Sequence, residues 1–230
     1  MGGQQFGIGT TNIDTRDLNR VIALNTEEST IEIQAGITWP SLVSWLKDNQ
    51  PQSEESLTII QKQTGADDMT IGGALSSNVH GRGLIYQPIV QDVESFTLLD
   101  ASGDTLVCSR NQNPEVFRLG IRGYGLFGLI HTITLRLQPR HKLMREVSVV
   151  SLDQVIPSMD QRIAEGHLYG DFQYVTDEQS EDFLRLGILS SYRPVSFTVP
   201  MPADQLGLST ENWMKLYYLA HVDKKEAYTQ

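Results

Sequence analysis

The 230-residue chain holds a single cysteine, Cys108, so an internal disulfide is excluded. Cys108 stands in the alternating stretch Thr105 to Ser109, where it reads as a small buried hydrophobe rather than a reactive thiol. One free cysteine fits a reducing compartment, and a cytoplasmic location is expected. No apolar run approaches the ~20 residues a membrane-spanning helix needs. Residues 1–9 lack a basic region followed by an apolar stretch, so they do not read as a secretory signal. Positive charge is also scarce. Eighteen Lys and Arg stand against 28 Asp and Glu, a formal net charge of −10. No basic patch suits a nucleic-acid backbone, and an acidic surface argues against docking on anionic lipid. His131, His141, His167 and His221 form no metal-ligand spacing with Cys or carboxylates. No Ser-His-Asp or Gly-x-Ser-x-Gly arrangement occurs.

What remains is an ordinary globular composition, 40% hydrophobic and 20% charged. The length allows one large domain or two smaller ones. Thr11 to Asp14, Val21 to Leu24 and Thr30 to Ala35 read as a β-meander, with Asn25 to Ser29 as a polar turn. A helix follows: Thr38 is its expected cap, Pro40 sits in its first turn, and Leu42, Val43, Trp45 and Leu46 make its apolar stripe. Leu57 to Ile60 reads as a strand. Val93 to Asp100 and Thr105 to Ser109 form the clearest hairpin, about the turn Ala101 to Asp104. Asn113-Pro114-Glu115 opens a short helix, and Ile130 to Leu137 alternates as a strand, with His131, Ile133, Leu135 and Leu137 on one face.

The pattern changes after Pro139-Arg140-His141, where a domain boundary is expected. Val147 to Val150, Phe172 to Val175 and Leu186 to Leu189 read as strands. Leu152 to Ala164 reads as a helix with Leu152, Val155, Ile156, Met159 and Ile163 on one face, and Asn212 to Leu219 as another. The predicted fold class is α+β, with a mixed or antiparallel sheet in the first domain (1–140) and a smaller α+β second part (141–230).

Chemistry concentrates between Gly65 and Gly83. Five glycines stand there among small residues, and glycine lets a backbone approach a ligand closely. Gly72-Gly73 precede a short stretch, Ala74 to Asn78, that can start a helix, whose exposed N–H groups would suit a pyrophosphate. The stretch is neither a Gly-x-Gly-x-x-Gly fingerprint nor a Walker loop, and without βαβ alternation a Rossmann fold is not expected. On glycine content alone, a structural turn and a phosphate cradle stand level. His80 by itself reads as a hydrogen-bonded loop residue before it reads as a ligand contact.

The run Thr70-Ile71-Gly72-Gly73-Ala74 with Asn78-Val79-His80-Gly81 resembles the flavin-contacting segment of the FAD-linked oxidases with the vanillyl-alcohol-oxidase (PCMH-type) fold. That family includes sugar and aldonolactone oxidases and decaprenylphosphoryl-ribose oxidase. Further matches follow in order: Ile13-Asp14-Thr15, Leu18 to Val21, Ile31-Glu32-Ile33-Gln34-Ala35-Gly36, Phe96 to Gly103, Asn113 to Phe117, and Gly123 to Ile130. The ordered set spans about residues 1–140 and is more specific than any single member.

The resemblance implies that Gly65, Thr70, Gly72, Gly73, Ala74 and Ser77 line the FAD pyrophosphate and flavin. It implies that Val79, His80 and Gly81 pass close to the isoalloxazine, that Leu129 meets its far side, and that His80 faces the substrate. Met1 to Gln5 resemble the tail of the family's first flavin loop, and residues 141–230 the start of its substrate (cap) domain. The chain is therefore expected to be short at both ends, and its FAD to be non-covalent, because the histidine that attaches FAD in some relatives would precede Met1. The implied activity is oxidation of a C–OH group of a sugar, polyol or lactone by hydride transfer to flavin N5. Two alternatives stand beside it: an inactive remnant serving as a nucleotide-binding or interaction domain, and a dehydrogenase subunit completed by another chain.

Overall fold

The computed structural model describes residues 7–62, 65, 67–202 and 208–229, so Met1 to Gln5 lie outside the described residues. The chain divides into two compact units, residues 1–140 and 141–230.

The first unit contains β1 (Val21–Asn25), β2 (Thr30–Gln34), α1 (Trp39–Asp48), β3 (Leu57–Ile59), α2 (Ile71–Ser76), β4 (Val93–Leu99), β5 (Thr105–Ser109), α3 (Pro114–Gly120) and β6 (Leu129–Pro139). Every strand pairing is antiparallel. The order is β1-β2-β6-β4-β5, and β3 extends the ladder at the end of β6. β6 is central because its alternating Ile133, Leu135 and Leu137 complete one apolar face with Ile31 and Ile33 of β2 and Phe96 of β4. Each such buried side chain contributes about 1.5–3 kcal/mol.

The β4–β6 register shifts twice, once between Val93 and Ser95 and once at the start of β6. Leu98 opposes Ile130 while Thr97 opposes Thr132, so His131 is the extra residue of a β-bulge. The bulge turns Ile130 inward and His131 outward, opposite to an unbroken period of two.

α1 buries Trp39, Leu42 and Leu46 against this sheet, whereas Val43 of the expected stripe is exposed. Thr38 caps α1 by position only, since its hydroxyl bonds Ser41 (2.9 Å) rather than a backbone N–H. Asn113 likewise precedes α3 in a left-handed conformation, and its side-chain amide donates to the carbonyl of Val107 (2.8 Å). Thr11 to Asp14 form no strand. They are exposed, with no ladder partner, and Asp14 is held instead by Arg16.

The second unit contains β7 (Lys142–Ser151), α4 (Val155–Ala164), β8 (Tyr169–Tyr174), β9 (Leu186–Val195), α5 (Thr210–Val222) and α6 (Lys224–Thr229). The strands form an antiparallel sheet, β7-β9-β8. A 3-10 turn at Leu152–Gln154 precedes α4, so Pro157 falls in the first turn, where its missing N–H costs little. Of the expected apolar face of this helix, only Val155 is buried. Leu152, Ile156 and Ile163 are exposed. The interior is polar: His167, Ser190 and Ser191 are buried, and Glu146 accepts hydrogen bonds from Arg162 and from Arg193 Nε (2.6 Å).

Candidate functional site

α2 is six residues long, too short to persist by itself. The sheet supplies what propensity does not. The Ile71 N–H donates to the Ile37 carbonyl (2.8 Å), and the Gly72 N–H to the Ala35 carbonyl (2.7 Å). Thr70 caps the helix, with its hydroxyl accepting from Gly73 N–H (3.1 Å) and its carbonyl from Ala74 N–H (2.9 Å). The four N–H groups of Ile71 to Ala74 are thus all engaged. The expectation of exposed N–H groups at the start of α2 is corrected: carbonyls about 35 residues upstream in sequence take the first two.

Glycine is required at Gly72 by closeness, since a Cβ there would meet the Ala35 carbonyl oxygen and Cβ at 2.9 Å. Gly36 is tighter still. A Cβ there would lie 1.8 Å from the Thr15 carbonyl oxygen, which fixes the chain between the first loop and the end of β2.

The expected site residues sort by what they face. Gly72, Ala74 and Val79 are buried in the wall against the sheet. Thr70, Gly73 and Ser77 are partly exposed along the other side of α2, and a Cβ at Gly73 would meet only Thr70 Oγ1 and Met69 Cγ within 4 Å. His80 is exposed and Gly81 half-buried directly beyond. Leu129, half-buried, opens β6, against which α2 packs. Gly65 lies in an exposed turn at φ +78°, with open space where a side chain would be.

The second Gly-rich loop joins this site. Arg122 N–H donates to the Leu75 carbonyl (3.2 Å) and Tyr124 N–H to the Ser76 carbonyl (3.1 Å), so the loop seats on the C-terminal end of α2. Gly123-Tyr124-Gly125-Leu126-Phe127-Gly128 has Gly-x-Gly-x-x-Gly spacing. Its context is not that of a dinucleotide fold, because it follows helix α3 and runs into strand β6. The loop presents Tyr124, Leu126 and Phe127 to solvent, Leu126 at 84%.

His80 Nδ1 lies 3.1 Å from the Gly81 carbonyl oxygen. An acceptor there favours the tautomer protonated at Nδ1, which leaves the lone pair on Nε2.

The surroundings fit a flavin nucleotide. Gly65 and Gly125 have open space where a side chain would stand, and the uncovered side chains of the 124–127 loop would offer an apolar wall to a flat ring. A cleft of about 80 Å³ between α1 and β3 is lined by Leu46, Pro51, Leu57 and Arg140. It includes none of these residues.

Comparison with known proteins defines the class. Residues 1–109, just under half of the chain, match the family model described as FAD binding domain. L-gulonolactone oxidase of Bos taurus is 28% identical over 152 residues, covering 66% of this chain and 33% of the relative. L-galactono-1,4-lactone dehydrogenase 2, mitochondrial, of Oryza sativa subsp. japonica is 30% identical over 138 residues (60% and 22%). D-arabinono-1,4-lactone oxidase of Yarrowia lipolytica is 29% identical over 101 residues (44% and 19%). The matched region thus spans a third or less of these relatives. A solved structure of alkyldihydroxyacetonephosphate synthase superposes with a TM-score of 0.66 over 80% of this chain and 38% of that one, at 17% identity. That likeness shows a shared α+β fold. No helix among the described residues is long and apolar enough to cross a membrane.

Proposed function

We propose that the chain is the cofactor-binding part of an FAD-dependent oxidoreductase that oxidises a C–OH group of a sugar, polyol or lactone. The observation that carries this reading is one surface combining the exposed side of α2, the exposed His80, and the 121–129 loop seated on α2 by two backbone hydrogen bonds. The lactones in the names of the relatives narrow the substrate class.

In this reading FAD is held non-covalently and supplies the acceptor for a hydride from the carbinol carbon. Gly65, Thr70, Gly73 and Ser77 border the nucleotide, His80 and Gly81 the ring, and Leu129 its far side. Gly72, Ala74 and Val79 shape the wall behind. His80 Nε2 accepts a hydrogen bond from the substrate hydroxyl and orients the C–H bond. Residues 141–230 form the start of a substrate domain. A cytoplasmic location belongs to the same proposal, and cell fractionation tests it.

The uncovered Tyr124, Leu126 and Phe127 favour a second reading, in which a further segment or a partner chain completes the site. Co-purification of such a partner supports it, and an isolated monomer that turns over a lactone overturns it.

The main test is a visible absorption spectrum after incubation with FAD and desalting. A retained flavin spectrum, released on acid precipitation, is the expected result. A colourless protein overturns binding by this chain. His80→Ala should leave the spectrum intact and slow flavin reduction by substrate.

A further inference from the structure

The cleft between α1 and β3 gathers positive charge on a chain whose net charge is −10. Lys47, in the last turn of α1, and Arg140, directly after β6, both line it. None of the described acidic residues does. The rest of the wall is mainly apolar, from Val43 and Leu46 of α1, Pro51, and Leu57 of β3.

Two glutamines fix the shape of this cleft. The side-chain oxygen of Gln50 accepts from Leu57 N–H (2.8 Å), and its amide donates to the carbonyls of Leu57 (2.9 Å) and Leu46 (3.0 Å), which ties the end of α1 to β3. Gln52 joins the two cationic residues. Its amide donates to the Lys47 carbonyl (2.7 Å), and its oxygen accepts from Arg140 Nη1 (2.9 Å). Arg140 N–H donates to the Ser56 carbonyl (2.7 Å), which anchors the backbone there as well. A neutral amide positions a guanidinium without cancelling its charge. Neither Lys47 nor Arg140 forms an ion pair among the described residues. Of the nearby carboxylates, Asp48 accepts from the Ser44 hydroxyl (3.3 Å), and Glu54 and Glu55 are exposed. A lysine in the last turn of a helix suits the helix dipole. That does not account for a half-buried arginine held onto the same cleft.

We propose that this cleft is a binding site for a short aliphatic monocarboxylate, separate from the surface assigned to the flavin. The planar fork of Arg140 matches a carboxylate edge in a bidentate pair, and Lys47 adds a second charge on a flexible stem. The apolar wall takes the tail. A dry cavity of about 150 Å³ accepts a benzene ring, so about 80 Å³ has room for a tail of roughly three or four carbons. Inorganic phosphate would use the charges without the wall, and an alcohol of the same length the wall without the charges. Binding here does not depend on flavin binding at α2.

The test is a titration of the isotope-labelled full chain with sodium butyrate at pH 7 and constant ionic strength, followed by amide chemical shifts. The expected result is saturable shifts confined to residues 43–58 and Arg140, with a Kd on the order of 1 mM. Arg140→Gln should weaken binding roughly tenfold, and Lys47→Gln, at an exposed position, severalfold. If Arg140→Gln unfolds the chain, Lys47→Gln decides. Butan-1-ol and inorganic phosphate should each bind much more weakly than butyrate. Shifts that do not saturate, or that scatter over the surface, overturn the proposal. So does butan-1-ol binding as tightly as butyrate, which would leave only an apolar groove, or phosphate doing so, which would leave only two surface cations. An unchanged Kd in Lys47→Gln overturns it as well.

Discussion

The two units of this chain are held together by different means. Among the described residues, every buried hydrophobic side chain except Val155 and Leu189 belongs to the first unit. There, Ile31, Ile33, Phe96 and Ile133 close an apolar layer under α1 and α2. The second unit relies on a three-stranded ladder and on Glu146, which takes hydrogen bonds from both Arg162 and Arg193 beside the buried His167. Its apolar residues largely point outward: Val149 is 65% exposed, and Val147 and Ile156 are exposed as well. An apolar core tolerates changes of pH and salt better than partly exposed charge pairs do. The difference teaches that stability in this chain is two quantities with two sets of controls.

The sharpest way to break the comparison is a cavity. Ile133→Ala should cost about 3–5 kcal/mol, because Ile133 is fully buried between β2 and β4. Hydrogen exchange should report that loss in residues 1–140 and leave β7–β9 unchanged. Loss in both units would show that they unfold together.

The next effect is on pH, and its sign should differ between the units. Asp92 carries a folded-state pKa of about 6, above its ordinary 3.8. Between those values the folded state binds more protons, so this group's contribution falls as pH rises from about 4 to 6. Asp92→Asn should therefore stabilise the first unit at pH 7.5 by about 2–3 kcal/mol, with the gain vanishing near pH 4.

His167 behaves oppositely. Its two ring nitrogens are buried with no hydrogen-bond partner among the described residues, Nε2 lies 3.9 Å from a Glu146 carboxylate oxygen, and burial holds its pKa below the ordinary 6.5 against the pull of Glu146. The unfolded state takes a proton first, so the second unit loses stability as pH falls below 6.5. His167→Gln should flatten that acid limb in exchange of β7 and β9. A limb that persists would assign it to Glu146, whose pKa its hydrogen bonds from Arg193 and Arg162 hold down. Smallest of all, Val149→Thr should change stability by less than about 0.5 kcal/mol, since Val149 packs on little.

Much of this fold is legible as local pattern. The β4–β5 hairpin announces itself by alternation around Ala101 to Asp104, and β6 by its alternating Ile133, Leu135 and Leu137. What pattern cannot supply is the partner. Thr11 to Asp14 have strand composition but no ladder neighbour, so they stay irregular. The face Leu152 to Ile163 is amphipathic, yet no described residue of the second unit covers most of it. The same limit applies to the site. The glycines and His80 stand out in sequence, but the donors of α2 look available until Ala35 and Ile37 are seen to claim them. Asp92 gave no signal at all, because a lone aspartate before a strand reads as a turn residue until its burial is known.

The hydrogen bonds from Ile71 and Gly72 to the far end of β2 also order events in time. A helix of six residues has no independent lifetime to speak of, so it can form only on a platform already made. That platform is β2 paired with β6, strands about 100 residues apart in sequence. The segment bearing His80 is then among the last parts of the first unit to acquire its shape. A folding intermediate with an intact sheet would lack the surface proposed for the cofactor, and a ligand that fitted that surface would act on the final step of folding by slowing its reversal.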